Sequence, residues 1–342
     1  MKRVRLIVAY DGTNYCGWQS QNNGVAVQDV LNRHLSELLG EKIETIGASR
    51  TDAGVHALGN VAVFDTNHRM PAEKISYAMN ARLPDDIRIQ KSEEVAADFH
   101  PRYCTSVKTY EYKILNRQMQ IPTLRHYAHF MYVPLDVDLM RQGTKYLIGE
   151  HDFKSFCGAG AQIKTTVREV LEIEFIQESV SHSNMHGASQ CMDIASGLYN
   201  LQKDAAQKKI CSKSKDFGST ADANILREDS YANTLKEAAC EQSSHEECQM
   251  VNVPSELSGL QNEASKKKDM QAGELITMRI KGKGFLYNMV RIIAGTLMEV
   301  GRGKYSPEHM EEILDACDRE VAGPTAPARG LTLVGIEYLP SE

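Results

Sequence analysis

The sequence predicts an α+β fold on a mixed, mostly antiparallel sheet. Three observations carry this reading. Runs with the two-residue alternation of strands and runs with the spacing of helices follow one another irregularly, not as repeated β-α-β units. Several strand-like runs stand beside one another as hairpins do. The glycine patterns of doubly wound nucleotide folds are absent: Gly282-Lys-Gly284 has neither the Rossmann nor the P-loop spacing.

The elements follow in order. Val4–Tyr10 alternates and opens the sheet. Val27, Val30, Leu31, Leu35, Leu38 and Leu39 recur at helical spacing, and Gly40 supplies the stop. Ile43–Gly47 and Asn60–Asp65 read as strands on either side of a loop. Pro71 opens a second helix to about Leu83, since its missing amide costs nothing in a first turn. Ile87–Lys91 and Val107–Leu115 are strands, the second with Tyr110 and Tyr112 on one face. Asp136–Leu147 is a third helix. Val167–Ile176 and Glu274–Ile280 alternate as strands. Helices follow at Tyr287–Val300, ended by Gly301, and at Pro307–Cys317, before a last strand at Thr332–Tyr338.

Between the paired runs 167–176 and 274–280 lies a stretch unlike the rest, from Glu178 to Ala272. It holds only Tyr199, Phe217 and Tyr231 of the chain's 14 Tyr, 8 Phe and one Trp, and it is rich in Ser, Lys, Asp, Glu and Gln. This reads as a polar insertion in a hairpin loop, mobile or weakly folded. Its His182 and His186 lie four apart with Cys191 beyond, a spacing that fits no zinc pattern, so no metal site is expected. The remainder divides into two halves without a sequence repeat. Residues 1–105 form the first, and 106–177 with 273–342 the second.

Composition narrows the function classes. The chain has 342 residues, 42% hydrophobic and 25% charged, with a net charge of −6. That is ordinary for a soluble globular protein. No run approaches the ~20 apolar residues of a membrane span. The first residues carry positive charge but no signal-peptide core, so they read as a strand. The eight cysteines form no CxxC pair. Free thiols in a reducing cytoplasm are expected. An acidic balance still permits a basic cleft for RNA.

Four runs concentrate chemistry. Gly47-Ala-Ser-Arg-Thr-Asp-Ala-Gly-Val-His-Ala57 sets the Asp52 carboxylate beside the Arg50 cation on a loop between strands. Asp52 suits a nucleophile or general base, and equally a turn cap. Arg50 suits a phosphate or a base plane. Tyr10-Asp-Gly-Thr-Asn-Tyr-Cys-Gly-Trp-Gln19 gathers aromatics that would stack on bases or pack a loop. Lys108-Thr-Tyr-Glu-Tyr-Lys113 offers Tyr110 for stacking, or both tyrosines for core. In Gly282–Gly295, Arg291 stands alone in an apolar helix. A cation there is costly unless paired, so a carboxylate partner is expected and Asp52 is a candidate; the other reading is a solvent-facing arginine. A hydrolase built on Asp52 and His56 would lack a partner base or metal set.

These runs, in order along almost the whole chain, resemble the TruA family of bacterial tRNA pseudouridine synthases. They are Tyr10-Asp-Gly-Thr-x-Tyr-x-Gly-Trp-Gln19, Arg50-Thr-Asp-Ala-Gly-Val-His-Ala57, the Lys-Thr-Tyr-Glu-Tyr strand, Phe285-Leu-Tyr-Asn-Met-Val-Arg291, Gly295 with Met298-Glu-Val-Gly301, and Gly330-Leu-Thr-Leu333. Gly149-Glu-His-Asp-Phe-Lys-Ser-Phe156 adds a further stretch. The resemblance implies two related halves with a central cleft, and conversion of uridine to pseudouridine in the anticodon stem-loop of tRNA, at positions 38, 39 and 40. It implies no cofactor and no metal, no nucleotide cofactor, no membrane association, and a homodimer. It matches Asp52 to the nucleophilic aspartate, Arg50 to an arginine that helps displace the target base, and Tyr110 to the tyrosine stacked on uracil. Arg291 matches the basic partner of the aspartate, and Leu331 an apolar contact near uracil. Two features depart from the pattern: Ser49 stands where many members have Gly, and the 178–272 insertion has no usual counterpart. The other readings left open are the same chemistry on a different RNA and a non-catalytic RNA-binding protein.

Overall fold

The computed structural model describes residues 1–22, 24–160, 164–180 and 273–339. Ten strands make one sheet: β1 (Lys2–Tyr10), β2 (Ile46–Gly47), β3 (His56–Thr66), β4 (Ile87–Val95), β5 (Ser106–Asn116), β6 (His129–Met131), β7 (Gly149–Asp152), β8 (Val167–Val180), β9 (Gly273–Gly282) and β10 (Leu331–Tyr338). The order across the sheet is β4-β1-β3-β10-β5-β9-β8-β7, with β2 on β3 and β6 on β5. Two pairs, β10 with β3 and β5 with β6, are parallel, and the rest are antiparallel. The sheet is therefore mixed and mostly antiparallel, as the alternating patterns require, and helices pack on it.

The helices are α1 (Val27–Leu39), α2 (Ala72–Asn80), α3 (Val137–Thr144), α4 (Met289–Gly301) and α5 (His309–Ala316). The apolar stripe of α1 buries Val27, Val30, Leu31, Leu35 and Leu39, and Gly40 ends it at φ 66°. The helix from Pro71 stops at Asn80, short of Leu83. There the Asn80 side chain leaves the helix to clasp Ile89 of β4, accepting from its amide at 2.8 Å and donating to its carbonyl at 2.9 Å. The Asp136 carboxylate caps α3 by accepting from the amides of Asp138 and Leu139, both at 3.0 Å. The expected strand Ile43–Gly47 shrinks to two residues. Its first half is tied to α1 instead: the Ile43 amide donates to Ser36 Oγ and the Thr45 amide to Asn32 Oδ1, both at 2.9 Å.

The β8–β9 ladder runs on to Val180↔Gly273. The compositional boundary at Glu178 thus falls inside β8. Polar residues can continue a ladder whose bonds are backbone bonds, and Val180 with Leu275 packs against the small cluster Leu115, Ile121 and Ala128. The polar segment itself, with His182, His186 and Cys191, lies outside the described residues. Among the described residues no helix is long and apolar enough to cross a membrane.

α4 is the central helix. Every residue from Met289 to Gly301 is buried except Arg291, as expected of a helix apolar all round. Gly295 lets it come close to the chain before β10: a Cβ there would lie 1.8 Å from the Pro324 carbonyl oxygen. Gly295→Ala is therefore expected to cost about 3 kcal/mol, the upper range for overpacking, read as a fall in urea midpoint at unchanged m-value. An unchanged midpoint would show that the backbone there can yield.

Candidate active site

The loop that carries Asp52 is built from below. Trp18 is fully buried, and its amide donates to the Thr51 carbonyl at 3.1 Å. Its indole lies on Gly47, where any Cβ would meet Nε1 at 2.1 Å. The Tyr10 hydroxyl bonds Thr51 Oγ1 at 2.7 Å. Asn60 accepts from the Ser49 amide at 3.3 Å and donates to the Ser49 carbonyl at 3.1 Å. Gly54 turns the chain at φ 77°, a conformation that favours glycine. The aromatic run 10–19 is thus the packed support of this loop, and its Trp18 is closed to bases.

Asp52 meets Arg291 across the fold. Nη1 of Arg291, in the first turn of α4, lies 3.3 Å from Asp52 Oδ2, and the two side chains are 17% and 19% exposed. Arg291 is held on two further sides: Nε donates to the Ala326 carbonyl at 2.8 Å and Nη1 to Asn288 Oδ1 at 2.7 Å. The arginine is thus turned inward and paired, not solvent-facing. Asn288 sits at φ 59°, a left-handed conformation that Asn tolerates better than most residues, and α4 starts directly after it. Burial pushes the Asp52 carboxyl above the ordinary range, while the charge and hydrogen bond of Arg291 pull it down; burial wins.

Asp52 opens on a cavity of about 810 Å³ that Arg50, Tyr110 and Leu331 line together with Tyr287 and Asn288, while Arg291 stands behind it. That volume suits a nucleotide. Tyr110, on β5, is 8% exposed and stands edge-on to Phe285 at 5.3 Å. Burial pushes its phenol up to about 12 and the Asp52 charge adds to this. The Ser49 hydroxyl beside it eases the shift, although Ser49 Oγ has no hydrogen-bond partner of ordinary geometry. Leu331 begins β10 opposite Tyr112. Tyr112 is shut in the core, its hydroxyl donating to the Pro327 carbonyl at 2.9 Å. Arg50 is exposed on the rim. His56 is structural: its Nδ1 accepts from the Gly12 amide at 3.1 Å and its Nε2 donates to the His126 carbonyl at 2.8 Å.

Sequence reasoning passed over several groups. Asn288 had a usable signal, an amide three residues before a buried arginine at a helix start. Lys108, Arg102 and Arg168 line the same cavity; Lys108 stood in the run 108–113 without a role of its own, and Arg102 and Arg168, scattered along the chain, had no signal. Burial, then the nearby Arg102 and Arg168, lowers the Lys108 ammonium to about 8.

Comparison with known proteins gives the family. The family model described as tRNA pseudouridine synthase matches residues 6–104, 144–194 and 214–339. A tRNA pseudouridine synthase A of Acetivibrio thermocellus is 36% identical over 338 residues, covering 99% of this chain and 100% of the relative. Proteins of the same name from a Thermoanaerobacter species and from Brevibacillus brevis are each 35% identical with the same coverage.

Proposed function

The chain belongs to the tRNA pseudouridine synthase family, and from that premise we propose that it converts uridine to pseudouridine in the anticodon stem-loop of tRNA, at positions 38, 39 and 40, with Asp52 as nucleophile. The enzyme is an isomerase that modifies tRNA. The observation that supports the role of Asp52 is its contact with Arg291 at 3.3 Å, with Asp52 itself lining a cavity that Tyr110 and Leu331 also line.

The reaction cuts the C1′–N1 bond, turns the uracil and joins C5 to C1′ as any bond from C1′ to the carboxylate breaks; the C5 proton is then lost and N1 gains one, so the product is an isomer of the substrate. Asp52, whose burial is partly opposed by the charge of Arg291, attacks C1′ in its ionised form as uracil leaves. Removal of a sugar proton by the same carboxylate would need the same ionised state. The detached base stays against Tyr110, with Leu331 as an apolar wall. The target nucleotide has to leave its stack to reach this depth, and Arg50 on the rim is placed to fill the space it vacates. Asp52 and Arg50 come from residues 1–105, while Tyr110, Arg291 and Leu331 come from 106–177 with 273–342. We read the cavity as the cleft between these halves. The same reading carries a homodimer acting in the cytoplasm, as the family resemblance implies.

The test is pseudouridine mapping of tRNA treated with the full chain. Pseudouridine at 38–40 supports the assignment, and pseudouridine elsewhere would move the substrate position while keeping the chemistry. Within this reading Tyr110→Phe keeps the stacking ring and loses the hydroxyl. Single-turnover rates are expected to fall about tenfold or more with RNA affinity unchanged; a wild-type rate would make the hydroxyl idle.

A further inference from the structure

We propose that a second cavity beside the catalytic one seats the nucleotide next to the target uridine, with its base on Tyr103 and its phosphate among Arg102, Lys108 and Arg168. This rests on reading the chain as an enzyme acting on RNA.

The second cavity has about 460 Å³ and shares Arg102, Tyr103, Lys108, Arg168 and Phe285 with the first, so a strand of nucleic acid can run from one to the other. Its described lining holds four cations, Arg102, Lys108, Arg168 and Lys283, and no carboxylate. Glu169 pairs with Lys283 at 2.8 Å. The other three meet at Lys108. Arg102 and Arg168 both press on Lys108, and Arg50 presses on Arg102. Like charges gathered in a partly buried site are costly, and a phosphodiester placed between them relieves the repulsion.

Two of the cations are already aimed. Arg102 Nε donates to the Gly47 carbonyl at 2.7 Å, and Lys108 Nζ to the Ala48 carbonyl at 3.2 Å. Each keeps further donors for an anion. Both carbonyls belong to the chain that runs into Ser49 and Asp52. A phosphate held here is therefore registered to the catalytic loop itself.

Tyr103 supplies the base platform. It is 85% exposed, and its ring is already stacked on His100 at 4.0 Å and 18°. His100 Nδ1 in turn accepts from the Arg102 amide at 3.2 Å, which fixes the pair beside the cationic group. Exposed rings backed in this way are how proteins hold unstacked RNA bases.

A binding cycle tests this on the full chain. The probes are synthetic anticodon stem-loop RNAs, one intact and two with an abasic residue on either side of the target uridine. Tyr103→Ala is expected to weaken the intact RNA about five- to fiftyfold, the range for one base stack, and Tyr103→Phe hardly at all. With one of the two abasic RNAs, wild type and Tyr103→Ala should bind alike. Arg168→Gln should reduce the slope of log Kd against log salt by about one. Equal weakening of all three RNAs by Tyr103→Ala, or no weakening, would overturn the base platform, and an unchanged salt slope would overturn the phosphate seat. Pseudouridine formation by wild type in the intact RNA is scored separately. If coupling to Tyr103 persists without product, the subsite stands and the reaction assignment falls. If product forms without coupling, the reaction assignment stands and the subsite falls.

Discussion

Asp52→Ala binds tRNA and leaves it unmodified: that is the largest effect the site implies. On the proposed reading the Asp52 carboxylate, which lines the cavity, attacks C1′, and its protein partner is Arg291 at 3.3 Å. When Asp52 is shortened, Arg291 keeps the Ala326 carbonyl and Asn288 Oδ1, so the guanidinium is not left stranded and the fold should survive. The cations that meet phosphates are untouched. We expect pseudouridine formation to drop at least ~10⁴-fold, the scale for removing a covalent nucleophile, with stem-loop affinity nearly unchanged. Asp52→Asn, which keeps the shape, should be equally inactive. Turnover retained in either variant would reduce Asp52 to a structural anchor.

Arg291→Met carries the second-largest effect. It removes the one influence that opposes burial at Asp52, so the carboxyl pKa, already raised, rises further. Asp52 acts in its ionised form, and the acid limb of kcat/KM must therefore move to higher pH. At neutral pH the rate should fall about 10²–10³-fold, as for loss of a single charge-stabilising contact in a site. Stability follows the same sign. A carboxyl whose folded pKa lies above its unfolded value favours the fold below the unfolded pKa, and that benefit is lost as pH rises through the folded pKa. The variant should thus be weakest on the alkaline side of that window. Arg291→Lys should rescue little, because one ammonium cannot reach Ala326, Asn288 and Asp52 together as the guanidinium fork does. A pH profile that superimposes on wild type would show that Arg291 does not act through Asp52.

Much of this was legible in the sequence, for definable reasons. A buried cation in an apolar helix has to be paired, Asp52 was a candidate carboxylate for Arg291, and the contact is there. The stripe of α1 and its Gly40 stop follow from spacing alone. What spacing could not say was whether the aromatics of residues 10–19 meet a substrate or support a loop, since both uses need the same residues; the buried Trp18 under Gly47 decides it. Nor could it place Tyr103, Arg102, Lys108 and Arg168 together. Their proximity comes from the pairing of β5 with β9 and of β8 with β9, contacts between distant parts of the chain that local pattern does not encode. The end of β8 was missed for a related reason, because backbone pairing continued where apolar composition had stopped.

The place of β10 has a consequence for how the enzyme comes into being. β10 follows the other strands in sequence, yet it lies in mid-sheet, with Thr332 paired to His56 of β3 and Leu333 to Tyr110 of β5. On the ribosome the Asp52 loop emerges early, but its far wall arrives only with Leu331. Until then β3 and β5 each present an open edge, the kind of surface that recruits other strands. Such distant pairing is also slow to form. A chain cut short before Leu331 lacks the strand between β3 and β5, so the pocket wall that Leu331 supplies is finished only when β10 enters the sheet.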